Sequence, residues 1–261
     1  MRDLKTTLVQ TDLGWEDIEY NLAALDDKID RLREETDLIV LPEMFTTGFT
    51  MNAGHLAQDM AGPSVKWMRD KSRQKNADIV GSLIIRENGK YFNRLIWAKP
   101  EGTIFAYDKR HLFRMAHEDS IYSAGHKTLT VELNGWKIRP FVCYDLRFPV
   151  WTRNIANQYD VAVFIANWPE KRSSHWTLLL KARAVENQCY VIGVNRVGVD
   201  GKGYSYSGDS SIIDPTGKVV FQKRNEVCAH TTAIPYSPLL LYRDKFPAWK
   251  DADTFKIEIS A

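Results

Sequence analysis

Cysteine is scarce: 261 residues hold three, Cys143, Cys189 and Cys228, spaced 46 and 39 apart with no C-x-x-C pair. An odd, scattered set excludes a disulfide framework and a zinc knuckle. Each thiol is therefore by default a small buried hydrophobe, and a reactive one must be picked out by its neighbourhood. Long apolar runs are missing too. The longest, Val161 to Ala166, is six residues, whereas a membrane-spanning helix needs ~20. No charge of one sign dominates, since 35 Lys and Arg face 33 Asp and Glu for a net +2. Neutralising a phosphate backbone needs a surplus of Lys and Arg, so neither nucleic acid nor membrane is an expected partner. Met1-Arg2-Asp3-Leu4 opens no signal-peptide hydrophobic block, and the expected location is cytoplasmic. There is no G-x-G-x-x-G after a strand, no G-x-x-x-x-G-K-[ST] and no H-E-x-x-H, which argues against dinucleotide, P-loop and zincin chemistry. Gly198, Gly201 and Gly203 are spaced differently and read as a turn.

What is present is a globular composition, 44% apolar and 26% charged, long enough for one or two domains. Trp15, Ile18, Leu22, Leu25, Ile29 and Leu32 recur at steps of three and four, which predicts an amphipathic helix over 15–36. Leu38 to Leu41, stopped by Pro42, reads as a buried strand, and Pro63 opens a second helix. After a strand over 79–85, Asn88-Gly89, Pro100-Glu101-Gly102 and Asn134-Gly135 mark antiparallel hairpins. The pattern then predicts a strand over 136–143, a helix over 149–158, a strand over 161–166, a helix over 174–188 and a strand over 190–194. Asp214-Pro215-Thr216-Gly217 turns a last hairpin, 210–221, and the tail after Pro235 reads as irregular. With no repeat, linker or low-complexity tract, the expectation is a single α/β (α+β) domain over 1–261, built as a layered sandwich.

Three residues stand at strand ends. Cys143 ends the run Ile138 to Val142 at a strand-to-helix elbow, where a side chain is exposed while backbone N–H groups converge on it. Glu43 follows Pro42 among Met44 and Phe45, where desolvation raises a carboxyl toward a proton-accepting range. Lys109 follows Thr103 to Tyr107, and an ammonium there can stabilise an oxyanion or a thiolate. Each has a plainer reading: a buried structural thiol, which the pattern alone favours somewhat, an exposed loop glutamate, and a member of a solvated Asp-Lys-Arg turn. Of the six histidines, His111 and His117 are six apart, which no single helix or strand face brings together, so a metal site is disfavoured. His175 reads as a cap or packing residue and Arg183 with Glu186 as an ion pair. Arg114 and Arg147, each just beyond a strand end, suit bidentate binding of a carboxylate, although either is also an ordinary structural arginine.

At these residues the chain resembles the nitrilase superfamily of carbon–nitrogen hydrolases. The resemblance rests on Leu41-Pro42-Glu43-Met44-Phe45, Tyr107 to Phe113, Val142-Cys143-Tyr144-Asp145-Leu146-Arg147-Phe148-Pro149 and Ala182 to Asn187. Phe113-Arg114-Met115-Ala116 and Asn167-Trp168-Pro169 make it most similar to bacterial omega-amidases. The resemblance implies a four-layer α-β-β-α sandwich, with Glu43 as general base, Lys109 as oxyanion support and Cys143 as nucleophile. A second family glutamate matches Glu118, with a register arguable by one. Also implied are a homodimer through the helix after the cysteine, holding Trp151 and Ile155, and catalysis without cofactor or metal. The expected reaction is hydrolysis of the terminal amide of 2-oxoglutaramate, or 2-oxosuccinamate, through a thioester, with the Tyr144 backbone N–H at the oxyanion. Arg114, Arg147, Phe45 and Trp168 are the candidates to line the substrate pocket. Two alternatives remain: the same three residues acting on another small amide, nitrile or carbamoyl amine, and a catalytically silent binding protein of the same fold.

Overall fold

A computed structural model describes residues 1–258. The last three residues of the expected 1–261 unit lie outside the described residues. In chain order the elements are β1 (Leu4–Gln10), α1 (Ile18–Asp30), β2 (Leu38–Val40), α2 (Ala53–Leu56), α3 (Pro63–Lys75), β3 (Asp78–Glu87), β4 (Lys90–Ala98) and β5 (Ile104–Asp108). They continue with α4 (Glu118–Ile121), β6 (Val131–Leu133), β7 (Trp136–Val142), β8 (Val161–Ala166), α5 (Ser173–Asn187), β9 (Tyr190–Asn195) and β10 (Val197–Val199). The last are β11 (Ser205–Ile213), β12 (Val219–Arg224), β13 (Cys228–Ile234) and α6 (Tyr236–Lys245).

The strands form a six-stranded sheet, ordered β13-β1-β2-β3-β4-β5, and a seven-stranded sheet, ordered β10-β11-β9-β8-β7-β6 with β12 beside β11. Each has a parallel centre, β1-β2-β3 in one and β7-β8-β9 in the other, flanked by antiparallel pairs. Side chains alternate across a strand, and β2 shows the result. Leu38 and Val40 join a core shared with Trp136, Phe141 and Val163 of the other sheet. Ile39 faces the opposite way, among Leu25 and Ile29 of α1 and Val65 and Met68 of α3. On the far side of the second sheet α5 buries Trp176, Leu180 and Ala184. The layering is helix, sheet, sheet, helix, as the sequence led us to expect.

Three expectations change. The helix placed over 149–158 is a series of turns with one 3₁₀ turn at Ile155–Asn157, and Ala156 and Asn157 have left-handed backbone at φ 49° and 53°. Its polar side chains bind backbone instead of leaving it to a helix: Asn154 Nδ2 donates to the carbonyls of Tyr159 and Asn187. Trp151 is buried, so this segment presents no helical face for a partner. The tail after Pro235, expected to be irregular, forms α6. Pro238 falls in its first turn, where the missing N–H is no loss. Arg243 anchors that helix, donating to Asp160 Oδ1 at 2.7 Å and to the carbonyls of Tyr159 and Gln188. The chain also opens with β1, to which the pattern assigned no element. Among the described residues no helix is long and apolar enough to cross a membrane.

Candidate active site

Glu43 follows β2 in a turn fastened to β3 through one residue. The Ser82 hydroxyl accepts from Met44 N at 2.8 Å, and the Ser82 carbonyl accepts from Phe45 N. Lys109 directly follows β5; its N–H donates to the Asn93 carbonyl of β4 and its own carbonyl accepts from Gly125 N. Only glycine fits at 125, because a Cβ there would run into the Asp108 carbonyl oxygen. Cys143 directly follows β7 with φ of 45°, a left-handed conformation that a residue with a side chain rarely adopts. Asp145 holds that elbow. Its Oδ2 accepts from Val142 N and from the Tyr107 hydroxyl, and its Oδ1 accepts from His111 N.

Glu43, Lys109 and Glu118 are 0%, 1% and 0% exposed, yet all carry ionisable groups. Such burial is tolerable because one ammonium pairs with both carboxylates and further donors bind their remaining oxygens. The Lys109 ammonium donates to Glu43 Oε1 at 2.9 Å and to both oxygens of Glu118 at 3.0 and 2.9 Å. Asn93 Nδ2 bridges the two carboxylates, at 2.8 Å to Glu43 and 3.2 Å to Glu118. Phe113 N donates to Glu118 Oε2 at 2.6 Å. From the other sheet, Asn167 N donates to Glu43 Oε2 at 2.8 Å, and the Asn167 side chain donates to the Glu43 carbonyl.

Burial works against the Lys109 charge, but Glu118, Glu43 and Cys143 outweigh it and raise the ammonium above its ordinary range. Glu118 is pushed up by burial, with Lys109 pulling it back. Burial also pushes the Cys143 thiol well up, and the adjacent Glu43 adds to that while Lys109 opposes it. The arrangement therefore holds a protonated thiol beside a carboxylate that can take its proton and an ammonium that can steady a developing oxyanion.

The half-buried Cys143 opens onto a cleft of about 260 Å³. Tyr144, Arg147, Trp168 and Phe113 line it, together with Phe49 and Tyr206, which sequence reasoning did not single out. Two expected pocket residues are elsewhere. Phe45 is fully buried on the helix side of the first sheet, against Gly81 and 5.8 Å from the Trp67 ring, and Phe49, four residues on, takes the cleft position. Arg114 projects into solvent with its side chain 87% exposed, 3.8 Å from Asp119. His175 neither caps nor packs; its Nδ1 meets Arg147 Nη2 at 3.0 Å. Asn93 was missed and Asn167 appeared only within the Asn167-Trp168-Pro169 motif; the polar pair Asn93-Arg94 interrupting the apolar residues between Tyr91 and Ala98 was the available signal for the first. Among the described residues no three His, Cys, Asp or Glu side chains are placed to hold a metal ion.

The carbon-nitrogen hydrolase family model matches residues 5–229. The chain is 48% identical to Omega-amidase YafV of Escherichia coli strain K12, over 98% of this chain and 100% of that one. It is 33% identical to the 2-oxoglutaramate amidase of Bacillus subtilis strain 168, over 93% and 95%. Among solved structures, XC1258 of Xanthomonas campestris, a CN-hydrolase superfamily protein with an arsenic adduct in its active site, superposes with a TM-score of 0.97 at 43% identity, over 99% and 100%. Saccharomyces cerevisiae Nit3, of the nitrilase superfamily, shares the fold at a TM-score of 0.86 and 24% identity, over 94% and 95%. With the family model spanning most of its length and relatives matching it nearly end to end, the chain belongs to the carbon–nitrogen hydrolase family.

Proposed function

We propose that this protein is an omega-amidase that hydrolyses the terminal amide of 2-oxoglutaramate to 2-oxoglutarate and ammonia. Omega-amidase and 2-oxoglutaramate amidase relatives at 48% and 33% identity support the substrate. The observation that carries the chemistry is the Lys109 ammonium held between Glu43 and Glu118 at the base of the Cys143 elbow.

In this reading Cys143 Sγ attacks the amide carbon while Glu43 takes the thiol proton. Lys109 and the Tyr144 backbone N–H hold the oxyanion. Glu43 returns the proton to the departing nitrogen, the C–N bond breaks, and ammonia leaves behind a thioester. Glu43 then takes a proton from water, whose oxygen attacks the thioester carbon; the C–S bond breaks and Cys143 recovers its proton. One amide and one water become one acid and one ammonia. Glu118 shares the ammonium and fixes its position.

The test is 2-oxoglutarate release from 2-oxoglutaramate by the wild type and Cys143→Ala, alongside glutamine and a simple nitrile. Release that vanishes in the variant is the expected result. Turnover of the nitrile but not the oxo-amide would move the reading to the alternative substrate class. Cys143 unreactive toward a small electrophile, with no turnover, would favour a silent binding protein.

We also propose that residues 1–261 act as one unit in the cytoplasm, a reducing compartment suited to a nucleophilic thiol and to three free cysteines. The proposed homodimer uses the α5 face instead of the 149–158 segment. Leu178 and Val185, two turns apart on that helix, are 66% and 47% exposed.

A further inference from the structure

The mouth of the cleft carries cations that the chain does not neutralise. Arg147, Lys171, Arg172 and Lys202 all line it, and Asp200 is the one carboxylate that does. Asp200 is already committed: its Oδ1 accepts from the backbone N–H of Lys202 and of Tyr204, both at 2.9 Å, and its Oδ2 from the Tyr206 hydroxyl at 2.8 Å. Nearby acids are engaged elsewhere, Glu170 with Arg224 at 3.6 Å and Asp209 with the hydroxyls of Ser173 and Ser207. Among the described residues neither guanidinium of the cleft has an ion-pair partner.

Both guanidiniums are nonetheless held in place. Arg147 Cζ stands 4.7 Å from the centre of the Trp168 ring and Arg172 Cζ 5.4 Å from that of Phe113. Trp168 Nε1 donates to the Arg172 carbonyl at 2.8 Å, so one indole supports the first arginine's face and the second arginine's backbone. Burial lowers the Arg147 pKa, and the like charge of Arg172 lowers it further. Two neighbouring cations fixed on aromatic faces without a counter-ion repel each other in the free protein, and an anion placed between them relieves that repulsion. Guanidinium forks match a carboxylate bidentately.

We propose that Arg147 and Arg172 form a two-guanidinium clamp for a substrate carboxylate remote from the scissile amide, with Arg172 the residue that selects anionic amides over neutral ones. The proposal rests on the amidase reading of the cleft.

The experiment compares kcat/KM for 2-oxoglutaramate and for butyramide, an uncharged amide of similar length. Wild type, Arg172→Gln, Arg172→Lys and Lys66→Gln are used, the last removing an exposed charge from α3. The preference for the charged amide is expected to fall about tenfold to a hundredfold in Arg172→Gln, through KM more than kcat. Arg172→Lys recovers part of it and Lys66→Gln leaves it unchanged. An unaltered preference in Arg172→Gln overturns the clamp. A second measurement needs no turnover: glutarate is expected to protect Cys143 from iodoacetamide, with about tenfold more required in Arg172→Gln. If neither amide is hydrolysed but that shift is seen, the clamp stands and the amidase reading falls. If 2-oxoglutaramate is hydrolysed and glutarate protects both proteins equally, the amidase reading stands and the clamp falls.

Discussion

The Tyr107 hydroxyl donates to Asp145 Oδ2 at 2.7 Å, tying the strand that delivers Lys109 to the elbow that delivers Cys143. The same hydroxyl accepts from Trp151 Nε1 at 2.9 Å. Tyr107→Phe strips one buried carboxylate oxygen of a donor and leaves the indole N–H without its acceptor, at a cost of about 1–3 kcal/mol. The expected result in a denaturant titration is a lower midpoint, and in kinetics a fall in kcat larger than any rise in KM.

Removing the ammonium exposes the charge balance of the site. Replacing Lys109 with an uncharged residue leaves Glu43 and Glu118 buried near each other with no cation. Burial already raises the Glu118 carboxyl, and without Lys109 to pull it back its folded pKa rises further above the unfolded value, so stability present at low pH is lost as pH rises through the folded pKa. Melting of Lys109→Met at pH 5 and pH 8 should show a Tm deficit that grows with pH. Cys143→Ala should abolish turnover with a Tm close to wild type.

The raised Cys143 thiol makes Glu43 responsible for its ionisation. Alkylation of Cys143 by iodoacetamide, followed by mass spectrometry, should accelerate as pH rises above neutrality. In Glu43→Gln the rate at pH 7 should fall about tenfold or more, since general-base help is worth about that or more. An unchanged rate would remove Glu43 from the proton path.

Asp78 lies outside the site and gives a stability test. Burial pushes its carboxyl up to about 6, against the hydrogen bond from Trp97 Nε1 at 2.6 Å. A folded pKa above the unfolded ~3.9 means that the contribution present at low pH is lost as pH rises through about 6. Asp78→Asn keeps an oxygen for Trp97 and carries no charge. Its Tm should match wild type near pH 4 and exceed it by several degrees above pH 7.

The proposed dimer is checked by light scattering during gel filtration. Leu178→Glu places a charge on the exposed stripe of α5 and should halve the mass, while a charge at Tyr20, exposed on α1, should not.

Much of the scaffold was legible because its signals are local. The unbroken apolar run Leu38 to Leu41, the Asn-Gly turns and the spacing in α1 each reflect one element's own local pattern. The 149–158 segment was misread because Asn154 and Trp151 spend their polar groups on residues distant in sequence, Asn187 and Tyr107. Glu43, Lys109 and Cys143 were legible as strand-end residues, but their convergence is a property of two sheets packed face to face. Asn93 and Arg172 have no motif of their own, and Asn167-Trp168-Pro169 marks a family branch without showing what Asn167 binds; each acquires its place through a neighbour that only the tertiary structure supplies.

Glu43 is fastened from both sheets at once, by Asn93 of the first and by the backbone and side chain of Asn167 after the second's β8. Neither half of the chain can assemble the reacting groups alone, because Glu43 and Lys109 belong to one and Cys143 and Asn167 to the other. Turnover therefore reports the docking of the halves. A chain severed in the stretch between α4 and β6 would be silent as separate fragments and would regain activity only on their reassociation.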